Sequence, residues 1–480
     1  MLLAYMDLLH VKIRKANQMS KIGITGWGWY IPRYQLDRSA MSSAFRMNSG
    51  RGSRSVAAYD EDSMTMAIES ARRTLRAESN INNLIFSTTH SPVLDKGNAS
   101  SMAAVLGLPF QVGAYDLGGS IRSGFGSLKF GLSQDGESLV MLSDLRFGRP
   151  GSDDEINGGD GAASFTFGEN PVVEVVDVLS ESSPVMDRWR AEGELGTQVW
   201  DDRWSADQQT ALMLQVTKSI LEKNSLTEAD LGSIVISSAS VRSVATISSQ
   251  VKASSLHSSE IDQFGFLGAA DLGVRLAWTL ENAKAGQYIL VVLGADGADA
   301  MLLKTTQQLS SAQFGRELVG TVEQVDVPTY LTWRGLVSRE APRRPDPEAP
   351  SAPAAARNHD WKFAFIGSEC TACGSRQLPP QRVCMSCGAI DKHRTCSMSS
   401  VKSTVKTFTV DRIAFSLSPP VVVGVIDFDG GGRFRCQLTE VTPDDVAVND
   451  RMEMVYRLIS ISSNGVRNYF WKARPVRENS

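Results

Sequence analysis

Four cysteines carry the clearest chemical pattern in this 480-residue chain: Cys370 and Cys373 form one Cys-x-x-Cys pair, and Cys384 and Cys387 a second, with ten residues between. Paired knuckles at this spacing place four thiolates around a tetrahedral zinc ion. Four protein ligands leave no open position for a substrate, so the expected role is structural. All six cysteines fall between Cys370 and Cys436, and residues 1–369 contain none. Stabilising disulfides are therefore not expected, nor is a thiolate nucleophile in the first three quarters of the chain. The second pattern is the stretch Ala-Tyr-Asp-Leu-Gly-Gly-Ser-Ile-Arg-Ser-Gly-Phe-Gly-Ser-Leu-Lys-Phe-Gly-Leu from Ala114 to Leu132. An apolar strand ends at Asp116, small residues turn the chain, and an amphipathic helix begins near Arg122. Such a corner delivers one side chain to a cavity at a helix N-terminus, where the dipole favours an anionic nucleophile or oxyanion. Ser120 and Ser123 are the hydroxyls there. Either could in principle form an ester, but at a turn such hydroxyls more often satisfy backbone groups.

The elements that must position these groups follow from hydrophobic periodicity. Lys21–Arg33 reads as a strand. Asp60-Glu61-Asp62-Ser63 reads as the cap of a helix in which Met64, Ala67, Ile68, Ala71 and Leu75 recur at helical spacing. A strand over Leu84–Ser87 ends in Thr88-Thr89-His90, another covers Ser138–Ser143, and Gly158–Ala163 leads into a further one. The series then repeats. A helix over Leu212–Lys223 leads to a strand at Ile234–Ser237, Gly265–Lys284 repeats the corner and its helix, and Gly286–Val291 repeats Gly136–Met141, all at one offset of 150 residues. A duplication with so long a period implies two similar α/β halves packed face to face. Pro342–Pro353 is dense enough in proline for an extended spacer, hence a domain boundary. From Val401 short β runs alternate with turns, as in a small Greek-key barrel of OB type.

The corner resembles the nucleophile corner of hydroxymethylglutaryl-CoA synthase, ketoacyl synthase III and the wider thiolase superfamily. Asp187-Arg188-Trp189-Arg190 with Gly193-Glu194, the run Gly294–Asp299 and Gly159–Ala163 carry the same resemblance over about residues 21–335. It implies a duplicated, five-layer α-β-α-β-α thiolase-like α/β fold, followed here by a zinc ribbon and an all-β OB-fold barrel. The last two resemble an accessory family found, separate or fused, with thiolases and hydroxymethylglutaryl-CoA synthases. The resemblance also implies a cysteine at the corner, a glutamate after the first-half strand, and a histidine and an asparagine in the second half. Carried onto this sequence, the cysteine position is Ile121, the glutamate falls on or next to His90, the histidine near Ser240 and the asparagine on Phe266. An isoleucine cannot form a thioester. Ser120 and Arg122 are left as substrate-pocket candidates. His90 is expected to face the old pocket, as a base or as a hydrogen-bonded buried histidine. His257, His359 and His393 lie in polar contexts with no constellation.

Taken together, these readings imply acyl-CoA as ligand, structural zinc, and a homodimer or a hetero-oligomer with a cysteine-bearing thiolase or synthase. A non-catalytic subunit, an atypical acyltransferase and an acyl-thioester or lipid binding module all remain open. The net charge of −4 gives no general attraction to nucleic acid or anionic membrane, and the barrel lacks a basic-aromatic groove pattern. No apolar run reaches bilayer-spanning length, and a cytoplasmic location is expected. The expected segments are an N-terminal extension at 1–20, thiolase-like halves at 21–180 and 181–338, a proline-rich linker at 339–360, the ribbon at 361–398 and the barrel at 399–476.

Overall fold

Five strands of each half follow one plan. In the first half these are β1 (Ile22–Tyr30), β2 (Ile81–Thr88), β3 (Gly113–Gly118), β4 (Glu137–Asp144) and β5 (Gly161–Glu169). In the second they are β6 (Val173–Ser182), β7 (Leu231–Ser238), β8 (Ser255–Leu256), β9 (Tyr288–Gly294) and β10 (Gly297–Thr305). The structure is a computed structural model that describes residues 22–476 apart from 48–49, 252, 254, 257–258, 307–321 and 341–350. The expected N-terminal extension and residues 341–350 of the proline-rich linker lie outside the described residues, as does His257; the linker's later part, expected as an extended spacer, is helical over Ala352–Arg357. The ten strands hydrogen-bond in the order β8-β7-β9-β10-β6-β1-β5-β4-β2-β3, a palindrome in which each strand mirrors its repeat partner. The halves meet where Gly23 faces Glu174 and Ile24 faces Val173. Even the register irregularity recurs, between Ile81 and Asn83 in one half and between Leu231 and Ser233 in the other.

Four helices complete the layers. α1 (Ser63–Thr74) covers the outer face of β1, β4 and β5, and α3 (Asp202–Lys223) covers β6, β9 and β10. Between the sheets run α2 (Ser123–Leu132) and α4 (Asp271–Glu281), the latter touching strands of both halves. The central core therefore mixes both repeats, with Trp29 and Trp278 edge to face at 5.7 Å and Phe125, Leu276 and Val291 fully enclosed. The duplication extends to single hydrogen bonds. Ser87 Oγ lies 2.9 Å from Ser123 Oγ, and Ser237 Oγ donates to Asp271 Oδ2 at 2.7 Å, so each strand end is tied to the first residue of a central helix. No helix among the described residues is long and apolar enough to cross a membrane.

The C-terminal part is all β. Strands Ile366–Cys370, Arg376–Gln377 and His393–Ser397 form the zinc ribbon. Then β11 (Ser403–Asp411), β12 (Val421–Phe428), β13 (Arg433–Gln437), β14 (Arg451–Ile461) and β15 (Arg467–Pro475) pair in the order β13-β12-β11-β14-β15. A bridge between Leu438 and Ala473 brings the two ends of that sheet together.

The acids before α1 divide their roles. Asp62 is the N-cap, accepting from Thr65 N in a capping box. Asp60 and Glu61, read from sequence as part of the cap, are instead buried against the barrel. Lys472 reaches Asp60 at 2.8 Å, Arg457 reaches Glu61 at 2.9 Å, and Arg474 reaches Glu69 on α1 at 3.0 Å. Glu440 bridges Arg457 and Arg474 from the barrel side, and Tyr469 donates to Asp62. Apolar contacts continue the seam: Ile68 and Ala71 of α1 share a core with Tyr456 and Trp471.

Candidate functional site

A cavity of about 210 Å³ opens beyond the carboxyl ends of β2, β3, β4, β7 and β9, the side on which parallel α/β sheets present their loops. At its floor the chain leaves β3, turns at Gly119 with φ +103°, and presents Ile121, 8% exposed and packed into the central core. Hydrocarbon thus stands at the head of α2. Ser123 is spent on the turn: its N–H and Oγ both donate to Ser120 O, at 3.1 and 2.6 Å. Ser120 lines the cavity. Gly124 is required by closeness, because a Cβ there would stand 2.3 Å from Ala269 O.

The other positions singled out in sequence divide. Ser240 lines the cavity, where its Oγ caps the helix Val241–Gln250 by accepting from Ser243 N. His90 does not line it. It sits behind Thr89, with Arg190 Nη1 3.2 Å from Nδ1 and the Phe147 ring at 4.4 Å. Burial, reinforced by Arg190 and Arg146, pushes the imidazole down to about 4, so it is neutral at physiological pH. Phe266 is knit into the glycine-rich loop, its N–H donating to Asn157 O and its carbonyl accepting from Gly159 N. Arg122 is turned to the second half. It holds both oxygens of Asp299, at 2.8 and 3.0 Å, together with Ser182 Oγ and the carbonyls of Glu181 and Asp296. It therefore pins the corner and is not among the residues lining the cavity.

Sequence reasoning passed over the residues that give the cavity its electrostatics. Asp144, at the end of β4, is fully buried and accepts from Thr89 Oγ1 at 2.7 Å and Ala269 N at 2.9 Å; burial pushes its carboxyl upward. Arg146, 4% exposed, donates to Thr89 Oγ1 at 3.1 Å and Asp154 Oδ1 at 2.5 Å. Arg188 and Arg190 enter from a short hairpin in which Arg188–Trp189 pairs with Gln198–Val199. The run Asp187–Arg190 was visible in sequence as a signature, without a role. Arg146 stands alone between Leu145 and Phe147, and no periodicity marks it.

The four cysteines form the second centre. Their sulfurs all lie within 4.8 Å of one another, with Cys370 to Cys387 at 3.8 Å and Cys373 to Cys384 at 3.6 Å. A tetrahedral zinc with Zn–S bonds near 2.3 Å requires sulfur–sulfur edges of about 3.8 Å, so the donor set fits the ion. Each knuckle closes with a glycine N–H, Gly374 to Cys370 O and Gly388 to Cys384 O, and both glycines have positive φ. Backbone N–H groups of Cys387 and Ser386 pull the Cys384 thiol down to about 6, while against the Ser375 N–H the crowding sulfurs of Cys387, Cys384 and Cys370 push Cys373 up, so in the metal-free cluster the protons are shared unequally.

Fold and site define a thiolase-like unit joined to a zinc ribbon and an OB-fold barrel. The family described as "ChsH2, rubredoxin-like zinc ribbon domain" matches residues 363–391, and "ChsH2, C-terminal OB-fold domain" matches 398–457. The chain is also similar to hydroxymethylglutaryl-CoA synthases. That of Pyrobaculum aerophilum is 33% identical over 192 residues, 36% of this chain and 55% of that protein, so this match spans about half of the relative. That of Pyrobaculum calidifontis is 25% identical over 354 residues, 66% of this chain and 99% of that protein. A DUF35 domain-containing scaffold protein of Methanocaldococcus jannaschii is 28% identical over 119 residues, 24% of this chain and 84% of that protein. Among solved structures, an HMG-CoA synthase complexed with CoA superposes with a TM-score of 0.58 at 18% identity, covering 65% of this chain and 89% of that one.

Proposed function

We propose that this chain is an acyl-CoA-handling, non-catalytic subunit of an acyl-transfer or carbon–carbon condensing complex, working beside a cysteine-bearing thiolase or synthase. One observation carries the reading: the side chain at the head of α2 is Ile121, and no cysteine precedes Cys370. Covalent acyl transfer needs a group that attacks the thioester, and a sec-butyl side chain has none. What remains supports binding. The cavity persists, the head of α2 faces it, and about a quarter of the chain resembles a protein named as a scaffold. The edge strand β3 supports assembly, because Gly113–Gly118 closes one end of the sheet with an open ladder and Tyr115 is half exposed. A second copy or a catalytic paralogue would cover that edge.

A second reading, an atypical acyltransferase, has Ser120 in its favour, since it lines the cavity. It lacks an imidazole base in the cavity: His90, the neutral imidazole nearby, is committed to Arg190 and is not among the residues lining the cavity. Incubation with acetyl-, acetoacetyl- and propionyl-CoA, followed by intact-mass spectrometry, tests both. We expect binding without an adduct, and condensation only when a cysteine-bearing partner is added. An acyl group that appears on Ser120 and turns over would establish the enzyme reading. Binding with no partner and no turnover would leave a binding module. Ile121→Cys should acylate slowly at most, because the acid and base positions read His90, Ser240 and Phe266.

A further inference from the structure

We infer that the hairpin of residues 187–200 is a hinged lid over the cavity, latched shut by Arg190. The inference goes beyond the acyl-CoA reading and holds for any ligand the cavity takes. Three observations carry it.

The hairpin supplies much of the cavity wall. Asp187, Arg188, Trp189, Arg190, Thr197 and Val199 all line it, together with Asp202, Ser205 and Gln209 from the start of α3.

The hairpin meets the rest of the protein without an apolar core. Its two paired steps, Arg188 with Val199 and Trp189 with Gln198, form a sheet of their own that joins no other described strand. None of residues 187–200 is buried, and none belongs to any of the hydrophobic cores. Trp189 instead packs on Trp200 within the hairpin, with ring centres 5.8 Å apart. An isolated two-stranded hairpin is marginal in water, so this one keeps its closed position through its tethers. A segment with few buried apolar contacts opens well below the cost of global unfolding.

The tethers are polar. Arg188 pairs with Asp153 and Glu194 with Arg149, both open to solvent and therefore weak. Thr197 N donates to Asp154 Oδ2 at 2.8 Å. On the other strand Arg190 reaches inward: Nη2 donates to Thr89 O at 2.5 Å, and Nη1 lies 3.2 Å from His90 Nδ1. Thr89 is itself held by Asp144 and Arg146, so Arg190 closes on a rigid post. The ends of the segment are fixed separately. Ser183 N donates to Asp296 O, and Asp201 caps α3 by accepting from Trp204 N, which places the hinges at these two points.

Hydrogen–deuterium exchange on the full chain, read by mass spectrometry, should show amides of residues 187–200 exchanging about a hundredfold faster than those of α3. In about 1 M urea the hairpin rate should hold, because local opening exposes little surface. Arg190→Gln, at an exposed position, should raise that rate by about threefold and leave α3 unchanged. A second readout reports access. The thiol introduced by Ser120→Cys at the cavity floor should react with fluorescein maleimide, and adding Arg190→Gln should speed the reaction by about threefold. Loss of a nearby cation by itself raises a thiol's pKa and slows its attack, so faster labelling reads opening and not reactivity. Peptide mapping separates this thiol from the native cysteines, which all follow residue 369. Hairpin exchange that tracks global unfolding in urea, or either rate unmoved by Arg190→Gln, overturns the inference. No arm uses a CoA ester, so that outcome leaves the acyl-CoA reading standing.

Discussion

Lys472 Nζ, on the last strand of the barrel, donates to Asp60 Oδ2 at 2.8 Å, and each side chain keeps only 1% of its surface exposed. The pair lies more than 400 residues apart in sequence and joins the C-terminal barrel to the first thiolase-like half. Removing one partner strands a buried charge. Asp60→Asn or Lys472→Met should cost about 3–5 kcal/mol of stability. The double variant should cost less than the sum of the two singles in urea unfolding. Additive losses would mean that the contact is energetically idle.

Glu69, beside that pair, gives the seam a pH dependence. Burial pushes its carboxyl up, but Arg474, Arg72 and Arg457 outweigh burial and hold it at about 2, against 4.5 in a free chain. A carboxylate depressed on folding contributes stability that is present above the unfolded value and lost as the pH falls through the folded one. That contribution is on the order of 3 kcal/mol at neutral pH. Glu61 works the other way, since burial pushes its carboxyl upward. Comparison with Glu69→Gln isolates the Glu69 share: the penalty of that variant should be full at pH 7 and shrink between about 4.5 and 2. A constant penalty across that window would show that Glu69 does not titrate as described.

His90 should stay neutral well below the usual imidazole range. Burial first, then Arg190, lowers it to about 4 from 6.5. Between those values the unfolded chain holds more protons, so stability rises with pH through the window. The ring resonances of His90 should show no titration above pH 5. Arg190→Gln should move the midpoint upward.

Gly124 is the point where the two corners touch. A methyl group there would meet Ala269 O at 2.3 Å, so the gain in helix propensity from Gly124→Ala is outweighed by strain. We expect a loss of about 1–3 kcal/mol, read as a lower thermal midpoint. An unchanged midpoint would mean that the helices separate at no cost.

The purified chain should carry one zinc per protomer, measured by elemental analysis after purification without chelators. Structural zinc supplies much of a small ribbon's folding free energy. Cys384→Ser should therefore release the metal and loosen residues 366–397 to proteolysis, while the ten-stranded sheet persists. Metal-free wild-type protein would refute this.

What could be read in sequence was local or periodic. The Cys-x-x-Cys spacing announced its own geometry, and a 150-residue offset between strands announced the duplication; the matching register shifts after Ile81 and Leu231 appear only in the strand pairing. The corner was legible as well, although β3 runs two residues past the expected end at Asp116 and α3 starts ten residues before Leu212. Contacts between distant single residues were not legible. Asp60 and Glu61 precede a helix and look like caps, because nothing local reveals Lys472 and Arg457 on the other side. Arg122 sits at the corner and looks like a ligand-binding cation until Asp299 is seen against it. Arg146 could not be found because one arginine after a strand has no periodic partner, and its role lies in tying the distant Thr89 to Asp154.

The seam on α1 also bears on how the protein is made. During synthesis the thiolase-like halves leave the ribosome first, and at about 5–20 residues per second the barrel strands that carry Arg457, Lys472 and Arg474 follow on the order of ten seconds later. Through that interval Asp60, Glu61 and Glu69 stand uncovered beside the apolar face of Ile68 and Ala71. The nascent protein therefore passes through a stage with an open, acidic and greasy flank. Tethering the barrel to the same polypeptide ensures that its own cover, and not a chance neighbour, arrives next.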